Sequence, residues 1–293
     1  MRIASLLPSA TEIVCALGLR DQLVAITHEC DYPAGLEGIP VVTSSVLSAP
    51  ASSLEIDRHI RELVHEGSSI YRLDAERLQS QKPDLILTQE LCDVCAVSYP
   101  IVQDAARWLD GPAQIVSLEP QSLEDVFKNI GLIGELTGRA AAASRLVGEL
   151  SDRVARLRVQ LGERSPRTVL CLEWIDPPFN AGHWTPGLVE LAGGRDPFGK
   201  PGAPAVPLSW DKVSSSEADV VVVMACGLRL DRSLEEAAAL SKRLAGRQLW
   251  VVDGNAYFSR PGPRLVDSIE LMAGILHPDV VGSPSPEVAR RLN

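Results

Sequence analysis

The chain has 293 residues and a formal net charge of -10 at neutral pH. That length suits two core-bearing units of ordinary size. The acidic balance excludes nucleic acid as a main partner, because phosphate binding needs clustered Lys and Arg, and no apolar run approaches the roughly 18 to 20 residues of a membrane span, so no membrane insertion is expected.

The first strand is expected over residues 2–7, running into the tetrad "SATE" at 9–12, which reads as a capping box in which Ser9 accepts from the Glu12 amide. A helix follows to Gly18. The opening stretch has one basic residue and too short an apolar core for a secretory signal, so the expectation is a leaderless, cytoplasmic protein. In that reducing compartment its six cysteines are expected to remain thiols. "QLVAITHE" reads as the second strand, stopping at the loop "HECDYP", and "IPVVT" as the third. "DAERLQSQ" looks like a short helix, and residues 83–88 like a strand without polar alternation, the pattern of a buried parallel strand. "YPIVQDAARWL" is read as helical and "AQIVSLEP" as another strand.

From residue 122 to 162 the pattern is helical, broken near Thr137-Gly138. Leu146, Leu150, Val154, Leu157 and Leu161 keep one apolar face at helical spacing. Alternation then resumes through "RTVLCLEW", "GLVELAGG", "ADVVVVMACG", "SLEEAAALSKRLA" and "RQLWVVDG" to a final helix at about 262–276. Strands alternating with helices imply parallel sheets wound by right-handed crossovers. The expected fold class is α/β: a Rossmann-like lobe at 1–120, a helical segment with a long backbone helix at 121–162, and a second such lobe at 163–293, with a ligand cleft between the lobes. No dinucleotide fingerprint, Walker loop, zinc-protease motif or nucleophile elbow occurs, so no catalytic residues are assigned.

"SLLPSATEIVCALG", "CDYP", "QKPDLIL", "IDPPFNAGHWTPGLVELAGGRDPF", "LSWDKVS" and "FSRPGPRLVDSIELM" together resemble the helical-backbone (class III) periplasmic binding proteins, most closely the cobalamin-binding members, over nearly the whole chain. The resemblance implies a corrinoid such as cobalamin, or a related metal chelate, bound on loops leaving the carboxyl ends of the strands. It makes Tyr32, Phe179 and Arg260 ligand neighbours and Tyr257 an aromatic match, while the tryptophan of the closing segment falls at Ser209 or Trp210. Trp184 adds a further apolar face suited to a macrocycle. The family's paired docking carboxylates for a permease fall at Glu76 and Arg195, and the reversed charge at Arg195 disfavours that docking.

"ELCDVC" and "HECDYP" both follow strands of the first lobe. Their positions group His28, Cys30, Cys92 and Cys95, with His183 from the second lobe, as candidate ligands for zinc, iron or the metal of a bound chelate. A redox pair, which requires a cysteine at a helix N-terminus, and plain packing of small apolar groups stay open beside that reading. Cys15, Cys171 and Cys226 lie in apolar patterns and read as structural. Three functions follow: a non-catalytic chelate-binding protein, a cytoplasmic metal protein or enzyme built on the His/Cys cluster, and a substrate-binding subunit of an importer.

Overall fold

The computed structural model describes residues 1–46, 52–65, 70–89, 102 and 113–293. The chain divides into two compact units. The first comprises Met1–Ala51, Glu55–Glu119 and Phe127–Val147; the second comprises Ser52–Leu54, Pro120–Val126 and Gly148–Asn293.

In the first unit, β1 (Ile3–Ser5), β2 (Leu23–Ile26), β5 (Leu85–Thr88) and β6 (Gln114–Ser117) form a sheet of order β2-β1-β5-β6 with every pairing parallel. Residues 85–88 are buried throughout, as their unbroken apolar run requires. Ala4, Leu6, Ala25, Val42, Leu78 and Ile86 form one core cluster on this sheet. Helix α1 (Pro8–Ala16) follows β1, but not with the cap expected. It begins at Pro8, with Leu7 as N-cap and no side-chain cap, so Ser9 falls inside the first turn, where it is buried. Proline suits a first helical position because its φ is preset and it has no amide hydrogen to satisfy.

"IPVVT" also resolves differently: Val41 makes only an isolated parallel bridge to Ile26, and the strand proper is β3 (Thr43–Ser45), antiparallel to β4 (Tyr71–Leu73) in a separate two-stranded sheet. Between them lies α2 (Ser53–His65), and after them α3 (Ala75–Ser80). Asp74 caps α3 by accepting from the Arg77 amide at 2.9 Å. Asp74→Ala should therefore cost about 1 kcal/mol in urea unfolding; a change below about 0.3 kcal/mol would show that the cap contributes nothing. The helix expected over "YPIVQDAARWL" lies outside the described residues, apart from the buried Val102.

Helices α4 (Leu123–Leu136) and α5 (Ala140–Leu161) form the helical segment, and both are shared between the two units. On α5, Leu150, Leu157 and Leu161 are buried while Val159 is 81% exposed, which fits the face read from their spacing. Arg153 of α5 donates to Asp267 at 2.5 Å and in a two-pronged contact to Glu270 at 3.0 and 2.6 Å.

The second unit is built on β7 (Arg167–Trp174), β10 (Val220–Val223) and β11 (Gln248–Val252), which run parallel. The antiparallel strands β8 (Phe179–Asn180) and β12 (Ala289–Arg291) close its two edges, and β9 (Gly194–Arg195) pairs with the start of β7. Leu170, Leu172, Val221, Val223, Leu249 and Val251 lie in one core cluster, packed by α8 (Leu230–Ala237) and α9 (Leu240–Arg243) through Ala237, Leu240 and Leu244. Among the described residues no helix is long and apolar enough to cross a membrane.

Candidate functional site

In the second unit β7, β10 and β11 end at one edge, where three loops start. The longest connection, residues 175–209, includes β8, the helix α6 (Thr185–Leu191) and β9; it carries Phe179, His183 and Trp184 and is knitted down by its own polar groups. The buried Asn180 uses both ends of its amide: Nδ2 donates to Phe198 O at 2.7 Å and Oδ1 accepts from Val206 N at 2.6 Å. Glu173 Oε1 accepts the Gly182 amide at 2.9 Å. A Cβ on Gly182 would sit 2.2 Å from Ala205 N, so only glycine allows the two strands of the loop to touch. Trp184 is half-buried, and its indole nitrogen donates to Phe258 O at 2.8 Å, tying this loop to the one after β11.

His183 occupies the left-handed region at φ +50°, uncommon for a residue with a Cβ. Two backbone bonds hold it there: its N–H donates to Ala203 O at 2.6 Å, and its carbonyl accepts from Gly202 N at 2.8 Å. Its Nδ1 lies 3.1 Å from Gln121 Oε1, and its ring lies 5.7 Å from that of Trp184. Burial lowers its pKa and so favours the neutral imidazole.

The loop after β11 presses on the loop after β10. Gly254 starts the short helix α10 (Gly254–Tyr257) against the Met224–Ala225 backbone, and Asp253 caps that helix by accepting from the Ala256 amide at 2.8 Å. Tyr257 is half-buried with the Arg264 guanidinium 6.0 Å from its ring centroid. Arg260 is buried, 5% exposed, in the turn before α11 (Leu265–Leu276). Trp210 opens α7 (Trp210–Ser214), packs against the core of the unit and lies under the Arg243 guanidinium at 4.5 Å. Arg195, on β9, is exposed and donates to Thr168 Oγ1 at 3.3 Å. Cys171 is fully buried, with its thiol pKa pushed up by burial and by Asp196. Cys226, expected to be structural, is exposed because it lies just past β10, where the loop leaves the sheet.

The first unit presents a hydroxyl-rich edge. Thr43 Oγ1 lies 2.7 Å from His28 Nδ1 and 2.8 Å from Thr27 Oγ1, and it accepts the His28 amide at 3.0 Å. His28 Nε2 is 3.3 Å from Glu29 Oε1 but is buried without a hydrogen bond. Cys30 Sγ lies 3.0 Å from Thr11 Oγ1, which donates to Ser5 Oγ at 2.8 Å. Tyr32 is 45% exposed, and Glu76 is exposed near the start of α3. Cys92 and Cys95 lie outside the described residues. Among the described residues, no group of three or more His, Cys, Asp and Glu side chains is placed to hold a metal ion.

Asn180, Gln121 and Asp196 organise the second unit's edge without having been singled out in the sequence. Nothing in their local pattern marks them, because each acts on partners brought close only by the fold.

Fold and loops together define an α/β binding protein, the class in which ligands lie outside the carboxyl ends of the strands. Within it the chain belongs to the periplasmic binding protein family, whose family model matches residues 3–250. It is 23% identical over 271 residues to a vitamin B12-binding protein of Vibrio cholerae, covering 92% of this chain and 86% of that protein. An uncharacterized ABC transporter substrate-binding lipoprotein of Bacillus subtilis is 29% identical over 148 residues, half of this chain, and the match spans only 37% of that protein. Among solved structures, the periplasmic vitamin B12-binding protein of Vibrio cholerae superposes with a TM-score of 0.68 at 21% identity, over 94% of this chain and 96% of that one. A periplasmic heme-binding protein from Pseudomonas aeruginosa gives 0.71 at 20% identity, over 99% and 97%. The likeness to these structures establishes the fold.

Proposed function

We propose that the chain is a non-catalytic binding protein for cobalamin, another corrinoid, or a related metal chelate such as haem. The observation that carries this reading is the second unit's edge, where Phe179, Trp184 and Tyr257 stand half-buried on loops held by Asn180, Glu173 and Gly254. Rigid aromatic faces of this kind suit a large flat ligand, since little side-chain entropy is lost on binding. The family's vitamin B12- and heme-binding relatives support the same ligand class. Titration with cobalamin, cobinamide, haem and a ferric siderophore should quench tryptophan fluorescence with at least one of them, and Trp184→Ala should weaken that binding by up to about tenfold. No response to any of the four overturns the reading.

A resident metal is a second reading, favoured by His28, whose Nδ1 is held by Thr43 while Nε2 is buried without a hydrogen bond. Outer-shell fixing of one ring nitrogen is a common feature of metal-bound histidine. Elemental analysis of purified protein should then find zinc or iron that is lost in His28→Ala and in Cys92→Ser with Cys95→Ser; metal-free wild type defeats it. Family membership favours a third reading, a substrate-binding subunit serving a permease. Recovery in an exported or membrane-attached fraction supports that role, and recovery in the cytoplasm supports the cytoplasmic binding protein instead.

A further inference from the structure

Resting on the chelate-binding reading, we infer that Ser53 is the peg of a latch: it holds the first turn of α2 beside Phe179, and it must release before a chelate reaches that ring. Ser52–Leu54 belong to the second unit, although α2 continues as part of the first. Ser53 is 1% exposed, and its hydroxyl and its carbonyl both bond to the second unit. The hydroxyl donates to Glu236 Oε2 at 3.0 Å, and the carbonyl accepts from Trp174 Nε1 at 3.1 Å. Glu236, on α8, is set for this contact because its other oxygen accepts from Arg232 Nη2 at 2.8 Å. A hydroxyl bonded to a carboxylate is a charge-assisted contact, stronger than one between neutral groups. Leu54, the next residue, is 53% exposed. Polar contacts therefore hold Ser52–Leu54 in place, not the burial of an apolar side chain.

The position of the latch connects it to the ligand edge. Trp174 is the last residue of β7 and pairs across the antiparallel ladder with Phe179 of β8. Directly paired residues of neighbouring strands turn their side chains to one face. The indole that bonds Ser53 thus stands beside the Phe179 ring, and the turn bonded to that indole covers the approach to the ring from this side. A macrocycle is wider than one side chain, so lying flat on Phe179 requires the turn to move. Trp174 is packed against the core of the unit and is not free to swing away. The turn is the part that gives.

Release breaks two hydrogen bonds and exposes little apolar surface, so a closed and an open form of the turn exchange. Apparent affinity scales with the fraction of molecules in the competent form. Weakening the latch therefore raises the association rate and the affinity by one common factor and leaves the dissociation rate unchanged. A serine with a purely structural role would lower stability on removal without speeding binding.

Stopped-flow mixing of cobinamide and of ferric haem with wild type and variants, followed by tryptophan quenching, tests the inference. Ser53→Ala removes the bond to Glu236 and should speed association with whichever probe binds by roughly three- to tenfold, with dissociation unchanged. Trp174→Phe keeps a ring but loses the indole donor, and it should act in the same direction. Ser53→Thr keeps the hydroxyl and should return the wild-type rates. Hydrogen exchange of the unliganded proteins reads the latch directly: the first two turns of α2 should exchange faster in Ser53→Ala than in wild type. Equal association rates in wild type and Ser53→Ala overturn the latch and leave the chelate reading standing. Weaker binding with faster dissociation in Ser53→Ala also overturns it, because the turn would then be holding the bound chelate. Failure of every chelate to bind defeats both.

Discussion

Gly254→Ala is expected to lower the unfolding free energy by about 3 kcal/mol, among the largest losses for the addition of one methyl group to this chain. The added Cβ would lie 2.4 Å from Ala225 O and 2.5 Å from Met224 C, and both are backbone atoms at the end of a central strand. No side chain can rotate away, so α10 must lift from the sheet edge. Lifting it strains the Asn255 amide bond to Leu228 O at 3.1 Å, and with it the Gly254 carbonyl, which accepts from Phe258 N at 3.0 Å and from Ser259 N and Oγ at 2.9 Å. Tyr257 and Arg260 ride on this turn, so chelate affinity should fall together with stability. Gly148→Ala makes the opposite case. Gly148 is an exposed residue in the interior of α5 with nothing within 4 Å of a new Cβ, so the same methyl group should stabilise by about 0.5–1 kcal/mol. Urea unfolding of the pair decides the matter: a Gly254→Ala protein within about 0.5 kcal/mol of wild type would show that the two loops are not in contact.

The contrast between these glycines also shows what the sequence can and cannot reveal. Parallel strands were legible because burial on both faces leaves runs such as "LILT" and "VVVV" with no polar alternation, and α5 because Leu150, Leu157 and Leu161 repeat at helical spacing. Strands β8, β9 and β12 were not, since two- and three-residue edge strands carry no period and exist only through their partners on β7 and β11. The first helix starts two residues earlier than the capping box implied, because Ser9 and Glu12 satisfy that pattern as a string while Pro8 occupies the first position.

The candidate site was legible by residue type but not by arrangement. Phe179, Trp184 and Tyr257 stand on loops at the carboxyl edge, as expected of aromatics beside loop signals. Trp210 packs against the core under Arg243, and Arg260 is buried; aromatic and arginine side chains are equally suited to a ligand and to an interior, and spacing does not separate the two. The left-handed backbone of His183 has no sequence signal either, because it is imposed by Gly202 and Ala203, some twenty residues away along the chain.

Asp196 is the second position where a single change should have a large effect, about 3 kcal/mol for Asp196→Ala. Strand β9 ends at Arg195, so the Cys171 amide of β7 lacks a strand partner on that side. The Asp196 carboxylate replaces it, with Oδ2 accepting from Cys171 N at 3.1 Å and Oδ1 from Phe198 N at 2.9 Å and Gly199 N at 3.0 Å. Alanine strands all three donors, one of them beside a fully buried cysteine. Asp196→Asn should cost less, about 1–2 kcal/mol, because it keeps one oxygen but turns an NH2 group toward the Cys171 amide. Acidity separates this account from a plain packing role. Burial raises the Asp196 pKa above the ordinary 3.8, and the three amide bonds only partly offset it. Over the pH window between 3.8 and that raised value the folded chain holds this proton more readily than the unfolded one, so the stability contributed by Asp196 grows as pH falls and is lost as pH rises. The stability gap between wild type and Asp196→Asn should therefore widen as unfolding is measured at progressively more acidic pH, from pH 7 down toward the ordinary carboxylate range. A gap that narrows on acidification would mean that the carboxylate's charge stabilises the loop, and that its amide bonds outweigh its burial.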